Sequence, residues 1–157
     1  MHNRALQRAA NERGAALIEF AVVVPVLLLL VFGMMRFGIA YNNQIILTDS
    51  VRDGARMLSV SRGDNTDICN KAGLKVRNAA VTLDPTKITM TMLVAGSSNT
   101  AAAGALPSCN GAGTSAAFSS GSDVTMTATY PCSLQVMGIT FGPSTCRLTS
   151  STTARVE

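Results

Sequence analysis

One acidic residue, Glu19, stands inside a long apolar run near the start of the chain. From Ala15 to Met35 it is the only charged residue, and Gly14 comes directly before that run. An acid in a membrane-spanning helix is costly unless it is paired or reaches the interface, so its position requires an explanation. If the chain were cut after Gly14, the new amine of Ala15 would be cationic, and Glu19 would follow about one helical turn later. Between neighbouring chains in a helical assembly, such a carboxylate and amine could pair and set the register.

The four cysteines are a second group of residues whose side chains could do chemistry. Cys69, Cys109, Cys132 and Cys146 all follow the apolar run and contain no CxxC pair, so the spacing does not indicate a metal site. Two disulfides in an oxidising compartment fit better, and three pairings are possible. We favour Cys132 with Cys146, because both flank a connection between two strands, and this leaves Cys69 with Cys109.

Catalytic and nucleic-acid-binding patterns are missing from the sequence. The only histidine is His2, and no segment has the spacing of a nucleophile elbow or a phosphate-binding loop. Basic residues do not cluster together with aromatic residues, as a single-stranded nucleic-acid site would need. We therefore expect no enzyme, no cofactor, no bound metal and no nucleic-acid partner.

The apolar run has the length of a membrane-spanning helix. At about 1.5 Å per residue, a helix from Ala15 to Met35 spans roughly the hydrocarbon thickness of a bilayer. Arginines precede it, and the positive-inside rule then keeps the N-terminus in the cytoplasm. We predict a cytoplasmic leader at 1–14, a membrane helix at 15–38 and an exported remainder, in agreement with the cysteines. The three arginines of the leader are Arg4, Arg8 and Arg13.

The helical pattern continues beyond the membrane segment. Apolar residues recur every three or four positions, at Leu47, Val51, Ala55 and Leu58, which predicts a helix extension over 39–62. Gly63 fits a helix C-cap and Asp64 fits the N-cap of a second helix over about 66–81.

The remaining chain changes to the alternating pattern of strands. Apolar and polar residues alternate over 88–94 and 124–130, and more weakly over 146–156. These segments predict a three-stranded antiparallel sheet, with 95–122 as a long flexible loop tethered by Cys109. The fold class is then α+β: a long N-terminal helix followed by a disulfide-stabilised αβ head over 63–157.

The start of the chain resembles a known family of membrane proteins. A short basic leader, Gly14, the pair Glu19 and Phe20, and an apolar helix together resemble the class III signal of type IV pilin-like proteins. Within that superfamily, residues 13–25 are similar to the TadE-like minor pilins, or pseudopilins, of the tight-adherence (Flp) pilus. The resemblance continues through Asp53-Gly54-Ala55-Arg56 and the strand-rich end that closes in Arg155-Val156-Glu157. Ala15 departs from the Phe or Met with which many mature pilins begin.

The resemblance implies a processing step, partners and a location. A membrane-embedded prepilin peptidase would cut between Gly14 and Ala15, and Glu19 with Phe20 would serve assembly and register. The implied partners are other pilin and minor pilin subunits, the inner-membrane pilus assembly platform and membrane lipid. The protein would sit in a bacterial inner membrane with its head in the periplasm, or at the cell surface within a pilus used for attachment.

Two other interpretations of the same sequence remain. The chain could be an unprocessed single-pass inner-membrane protein whose periplasmic head binds another partner. It could also be a secreted protein cut after Ala40, because Gly38-Ile39-Ala40 satisfies the pattern for ordinary signal peptidase. The N-terminal residue of the mature protein separates the three, since they predict Ala15, Met1 and Tyr41.

Overall fold

The structure is a computed structural model that describes residues 2–61, 67–94, 96–109, 119–132, 135–136, 139–140 and 146–157. Side chains are described from Ala16 onward, except in the two short strands within 135–140. Contacts divide the chain into two units. Residues 39–133 and 142–157 form the head unit, and residues 1–38 with 134–141 form the other.

Within the described residues, two α-helices and six strands follow one another along the chain. α1 runs His2–Val60 and α2 runs Ile68–Ala79, and a short 3-10 turn, Pro85–Lys87, precedes the first strand. The strands are β1 Thr89–Val94, β2 Ser97–Ala101, β3 Asp123–Pro131, β4 Gln135–Val136, β5 Ile139–Thr140 and β6 Arg147–Arg155. The prediction of an α+β chain with a long N-terminal helix is confirmed.

An antiparallel sheet with the strand order β2-β1-β3-β6 forms one layer of the head unit. Met92 and Met126 lie opposite each other at its centre, and both are fully buried. β4 and β5 form a separate two-stranded hairpin in the other unit. The predicted count of three strands was therefore too low, since the main sheet alone contains four.

β2 was missed because it is an edge strand with little apolar signal. Its sequence, Ser-Ser-Asn-Thr-Ala, buries only Ala101, so no alternating pattern marks it. Gly96 adopts a positive φ of 82°, which glycine tolerates without strain, in the tight turn that joins β1 to β2.

The prediction of a single flexible loop over 95–122 was accordingly wrong for its first part. After β2, the Gly104 N–H donates to the Ile88 carbonyl at 3.1 Å, and Arg77 Nη2 donates to the Gly104 carbonyl at 2.6 Å. These bonds tie the segment to the residue before β1 and to α2. Residues 110–118 lie outside the described part of the chain.

The core of the head unit lies between the helices and one face of the sheet. From α1, the apolar residues predicted by the helical period are all buried: Leu47, Val51, Ala55 and Leu58. α2 contributes its own buried stripe and is shorter than predicted, with Asp67 as its N-cap. The predicted caps Gly63 and Asp64 lie outside the described residues.

Candidate functional site

The apolar half of α1 is the most unusual surface of the molecule. Its large apolar side chains are exposed from Leu17 to Tyr41, and Leu17 and Phe20 keep 69% and 67% of their surface accessible. The most apolar window of this helix has a mean hydropathy of 2.7 and none of it is buried. A core helix of a soluble domain would be covered by its own chain, and the described residues leave this one exposed. The segment is long and apolar enough to cross a membrane.

The predicted processing site lies within the same helix. Gly14 and Ala15 are both helical positions of α1, and their side chains lie outside the described residues. Ala15 and Glu19 are four positions apart, so about 6 Å of helix rise separates them. The sequence analysis expected this spacing of about one helical turn between Ala15 and Glu19.

Glu19 is exposed, and Phe20 beside it is exposed as well. Within the part of the chain that the structure describes, no ion pair involves Glu19. The two ion pairs found there, Asp49 with Arg52 and Asp84 with Lys87, both lie in the head unit. A partner for this carboxylate therefore lies outside the described side chains, elsewhere in the chain or in another molecule.

Pro25 lies inside the apolar half, and α1 continues through it. Proline has no N–H, so the carbonyl one turn earlier, that of Ala21, loses its usual helical donor. Membrane helices accommodate such a carbonyl through neighbouring helices or local adjustment.

The second segment that carried the family resemblance is Asp53-Gly54-Ala55-Arg56. Close packing in the head unit explains why it contains a glycine. Gly54 is buried, and a Cβ added there would lie 2.5 Å from Met126 Sδ and 2.5 Å from Val76 Cγ2. Glycine at this position lets α1 approach both β3 and α2. Asp53 and Arg56, on either side, line a shallow surface groove with Met57, Val60 and Lys75.

The two disulfides pair as the sequence analysis favoured. Cys69 of α2 is bonded to Cys109, and Cys132 after β3 is bonded to Cys146 before β6. The backbone N–H of Cys132 also donates to the carbonyl of Cys146 at 3.1 Å, so this second bridge closes the end of the β3–β6 ladder.

Asp67 supports the first bridge, and the sequence analysis missed it. One carboxylate oxygen, Oδ1, accepts from the N–H groups of Asn70 at 3.3 Å and Cys109 at 3.1 Å, and Oδ2 accepts from Ser108 Oγ at 2.6 Å. Partial burial alone would raise the pKa of Asp67, but these hydrogen bonds favour the carboxylate and hold the pKa below its ordinary value. The missed signal was an Asp three residues after Asp64, directly before the apolar stripe of α2.

Asp67 also lies close to both sulfurs of the bridge. The three potential ligand atoms lie within 4.8 Å of one another, but Cys69 and Cys109 are bonded to each other and so offer no thiolates to a metal ion. A second acid, Asp84, accepts from the hydroxyl and N–H of Thr86 and pairs with Lys87, and these contacts lower its pKa.

These features define a class: a chain with an α+β head unit and an N-terminal helix whose apolar half is exposed among the described residues. Residues 14–56 match the family model described as TadE-like protein. The chain therefore carries a TadE-like segment, and the resemblance drawn from Gly14, Glu19 and the Asp53 to Arg56 segment is confirmed at this level. No curated protein and no solved structure matches the chain.

Proposed function

We propose that the protein is a minor pilin, or pseudopilin, that takes part in assembling a tight-adherence (Flp) pilus used for surface attachment. The observation that carries the proposal is the coincidence of two segments. The TadE-like match covers 14–56, and the exposed apolar half of α1 lies inside it. At the level of the family, the match connects the chain with the tight-adherence pilus system.

In this proposal, two kinds of molecule cover the exposed apolar half of α1 in turn. Before assembly, membrane lipid covers side chains such as Phe20, Leu27 and Phe32, and the helix holds the protein in the inner membrane. During assembly, the apolar helices of other pilin subunits replace the lipid, with the assembly platform as the site of exchange. The head unit, with its two disulfides, faces the oxidising periplasm.

Processing creates the positive charge with which the Glu19 carboxylate pairs. A prepilin peptidase cuts between Gly14 and Ala15, removes the arginine-bearing leader and leaves a cationic amine on Ala15. Because Glu19 is exposed on α1, its carboxylate is free to meet the Ala15 amine of the adjacent subunit rather than a group of its own head unit. In the low dielectric between packed helices, this charged pair fixes the axial register.

Substitution of Glu19 tests this pairing. A hydrogen bond between charged groups contributes about 1.5–3 kcal/mol, and an amine left unpaired in the filament adds a further cost. We expect Glu19→Ala to lower incorporation into sheared pili at least tenfold, since about 1.4 kcal/mol corresponds to a factor of ten. The amount of mature protein in the membrane should stay the same, because neither the cut nor insertion uses the carboxylate.

Two further variants sharpen that experiment. Glu19→Asp keeps the charge and should retain part of the incorporation, whereas Glu19→Gln keeps the shape without the charge and should behave like Glu19→Ala. Met34→Ala is the matched control, since it removes another exposed side chain of the same helix. Incorporation of Glu19→Ala at the level of Met34→Ala would refute the pairing.

A further inference from the structure

The face of the four-stranded sheet that points away from the core is covered with hydroxyl groups. Between the strand ends, Leu93 is the only outward-facing sheet residue that is neither Thr nor Ser in the described strands. We call this surface, formed by the outward positions of β1, β2, β3 and β6, the hydroxyl face. None of the contacts described above for the core or the disulfides uses it.

The hydroxyls form rows that cross the sheet. In the central row, Thr100, Thr91, Thr127 and Ser151 are aligned by the strand register on four successive strands. Thr91 Oγ1 lies 3.2 Å from Thr100 Oγ1, and Thr127 Oγ1 lies 2.9 Å from Ser151 Oγ. Adjacent strands lie about 4.7–4.9 Å apart, so these shorter oxygen–oxygen distances show that the row is drawn into two hydrogen-bonded pairs.

Rows on both sides extend the pattern. In one, Thr125 and Thr153 are hydrogen-bonded through their hydroxyls at 2.8 Å, and in the other, Thr89, Thr129 and Thr149 lie in register. A hydroxyl carries one donor and two acceptor sites. Each hydrogen-bonded pair therefore uses one donor internally and keeps one donor and several acceptor sites for another molecule, with both oxygens held in place.

The hydroxyl face also lacks charge between the strand ends. The charged residues of this side stand at the limits of the strands, at Asp123, Arg147 and Arg155. A polyanion would gain little here, because binding to phosphates depends on Lys and Arg. Adjacent strands in sheets are generally twisted by about 20–25°, which suits a flexible partner better than a flat, rigid one.

We propose that the hydroxyl face binds a neutral polysaccharide chain. Such a chain is uncharged, presents hydroxyl donors and acceptors along its length, and bends to follow a twisted sheet. Its hydroxyls would exchange hydrogen bonds with the central row, and its C–H groups would contact the Thr methyl groups.

The same chemistry sets the strength of binding. Each neutral hydrogen bond contributes about 0.5–1.5 kcal/mol net, and the hydroxyl face has no aromatic ring on which a sugar could stack. A single head unit therefore binds weakly, and many together bind through avidity. This inference does not depend on the pilus, because the purified chain alone should show it.

The experiment uses the full chain, purified in detergent and coated on beads at high density. The probes are fluorescent dextran, amylose and hydroxyethylcellulose, three neutral polysaccharides with different linkages, together with carboxymethyl-dextran. We expect the beads to retain at least one neutral polysaccharide, with little change in 0.5 M salt, a concentration at which the screening length falls to roughly 4 Å.

A triple variant, Thr91→Val, Thr127→Val and Ser151→Ala, removes hydroxyls from the central row while keeping strand-compatible shapes. It should retain at least tenfold less neutral polysaccharide with an unchanged melting temperature. Thr82→Val is the matched control, since Thr82 is exposed and lies before β1, outside the hydroxyl face.

Several outcomes would overturn the proposal: no retention of any neutral probe, retention of carboxymethyl-dextran alone with loss in salt, or equal retention by a folded triple variant. Clumping of coated beads that the triple variant abolishes, without polysaccharide binding, would identify a second copy of the chain as the occupant instead.

Discussion

Gly54 of α1 lies so close to Met126 of β3 that a Cβ on the glycine would stand 2.5 Å from the methionine sulfur. The same Cβ would lie 2.5 Å from Val76 of α2, so three elements of the head unit meet at this residue. The family-matched segment thus reaches into the core of the head unit.

Gly54→Ala should destabilise the head unit. Overpacking costs about 1–3 kcal/mol, and the better helix propensity of alanine offsets about 1 kcal/mol of it. We expect a net loss of about 1 kcal/mol, measured as a lower midpoint in denaturant with an unchanged slope. Gly33→Ala is the control, because a Cβ there meets nothing within 4 Å and should cost no stability. Equal midpoints for both variants would contradict the packing described.

The periodic elements, including the weakly alternating β6, could be predicted from the sequence, and the edge strand β2 could not. Leu47, Val51 and Leu58 recur at helical spacing, so α1 and its buried stripe were foreseen. β2 was not predicted, because an edge strand of Ser, Asn and Thr buries too few side chains to produce an alternation of apolar and polar residues.

Tertiary contacts explain the other differences at the candidate sites. Two acids, Asp64 and Asp67, compete in the sequence for the N-cap of α2, and the hydrogen bonds that Asp67 makes to Ser108 and Cys109 depend on a segment forty residues away. The hydroxyl face is likewise visible only once the register places Thr91 beside Thr100 and Thr127.

Asp67 should make stability depend on pH in the acid range. Its folded-state pKa lies below the ordinary value of 3.8, so the stabilisation is fully present above that value and is lost as pH falls through the folded pKa. Asp67→Asn should therefore be less stable than the wild type at pH 7, by about 1 kcal/mol. The difference should shrink as pH falls through the folded-state pKa of Asp67.

Thermal unfolding of both proteins across this pH range provides the measurement. Asp123→Asn, at an exposed acid on β3, serves as the control and should leave the pH dependence of the wild type in place. A constant difference between wild type and Asp67→Asn at every pH would show that the carboxylate charge is not the cause.

The two disulfides should contribute unequally to stability. Cys69–Cys109 closes a loop with a sequence separation of 40, and Cys132–Cys146 one with a separation of 14. The chain-entropy relation gives about 4 kcal/mol for the first and about 3 kcal/mol for the second. Cys69 is also fully buried, so its loss leaves a cavity.

Paired Cys→Ala variants of each bridge, compared in denaturant, test this order. We expect removal of the Cys69–Cys109 bridge to cost about 1 kcal/mol more than removal of the other. The reverse order would mean that the bridge at the end of the β3–β6 ladder restricts the unfolded chain more than its length indicates.

The mature N-terminus tests the central claim, that Glu19 pairs with an amine created by processing. Intact mass or N-terminal sequencing of protein isolated from the membrane of cells that assemble pili gives the answer directly. Our account predicts a chain that begins at Ala15. A chain that still begins at Met1 would have no new amine at Ala15, and one that begins at Tyr41 would have lost Glu19 itself, so either result would contradict the account.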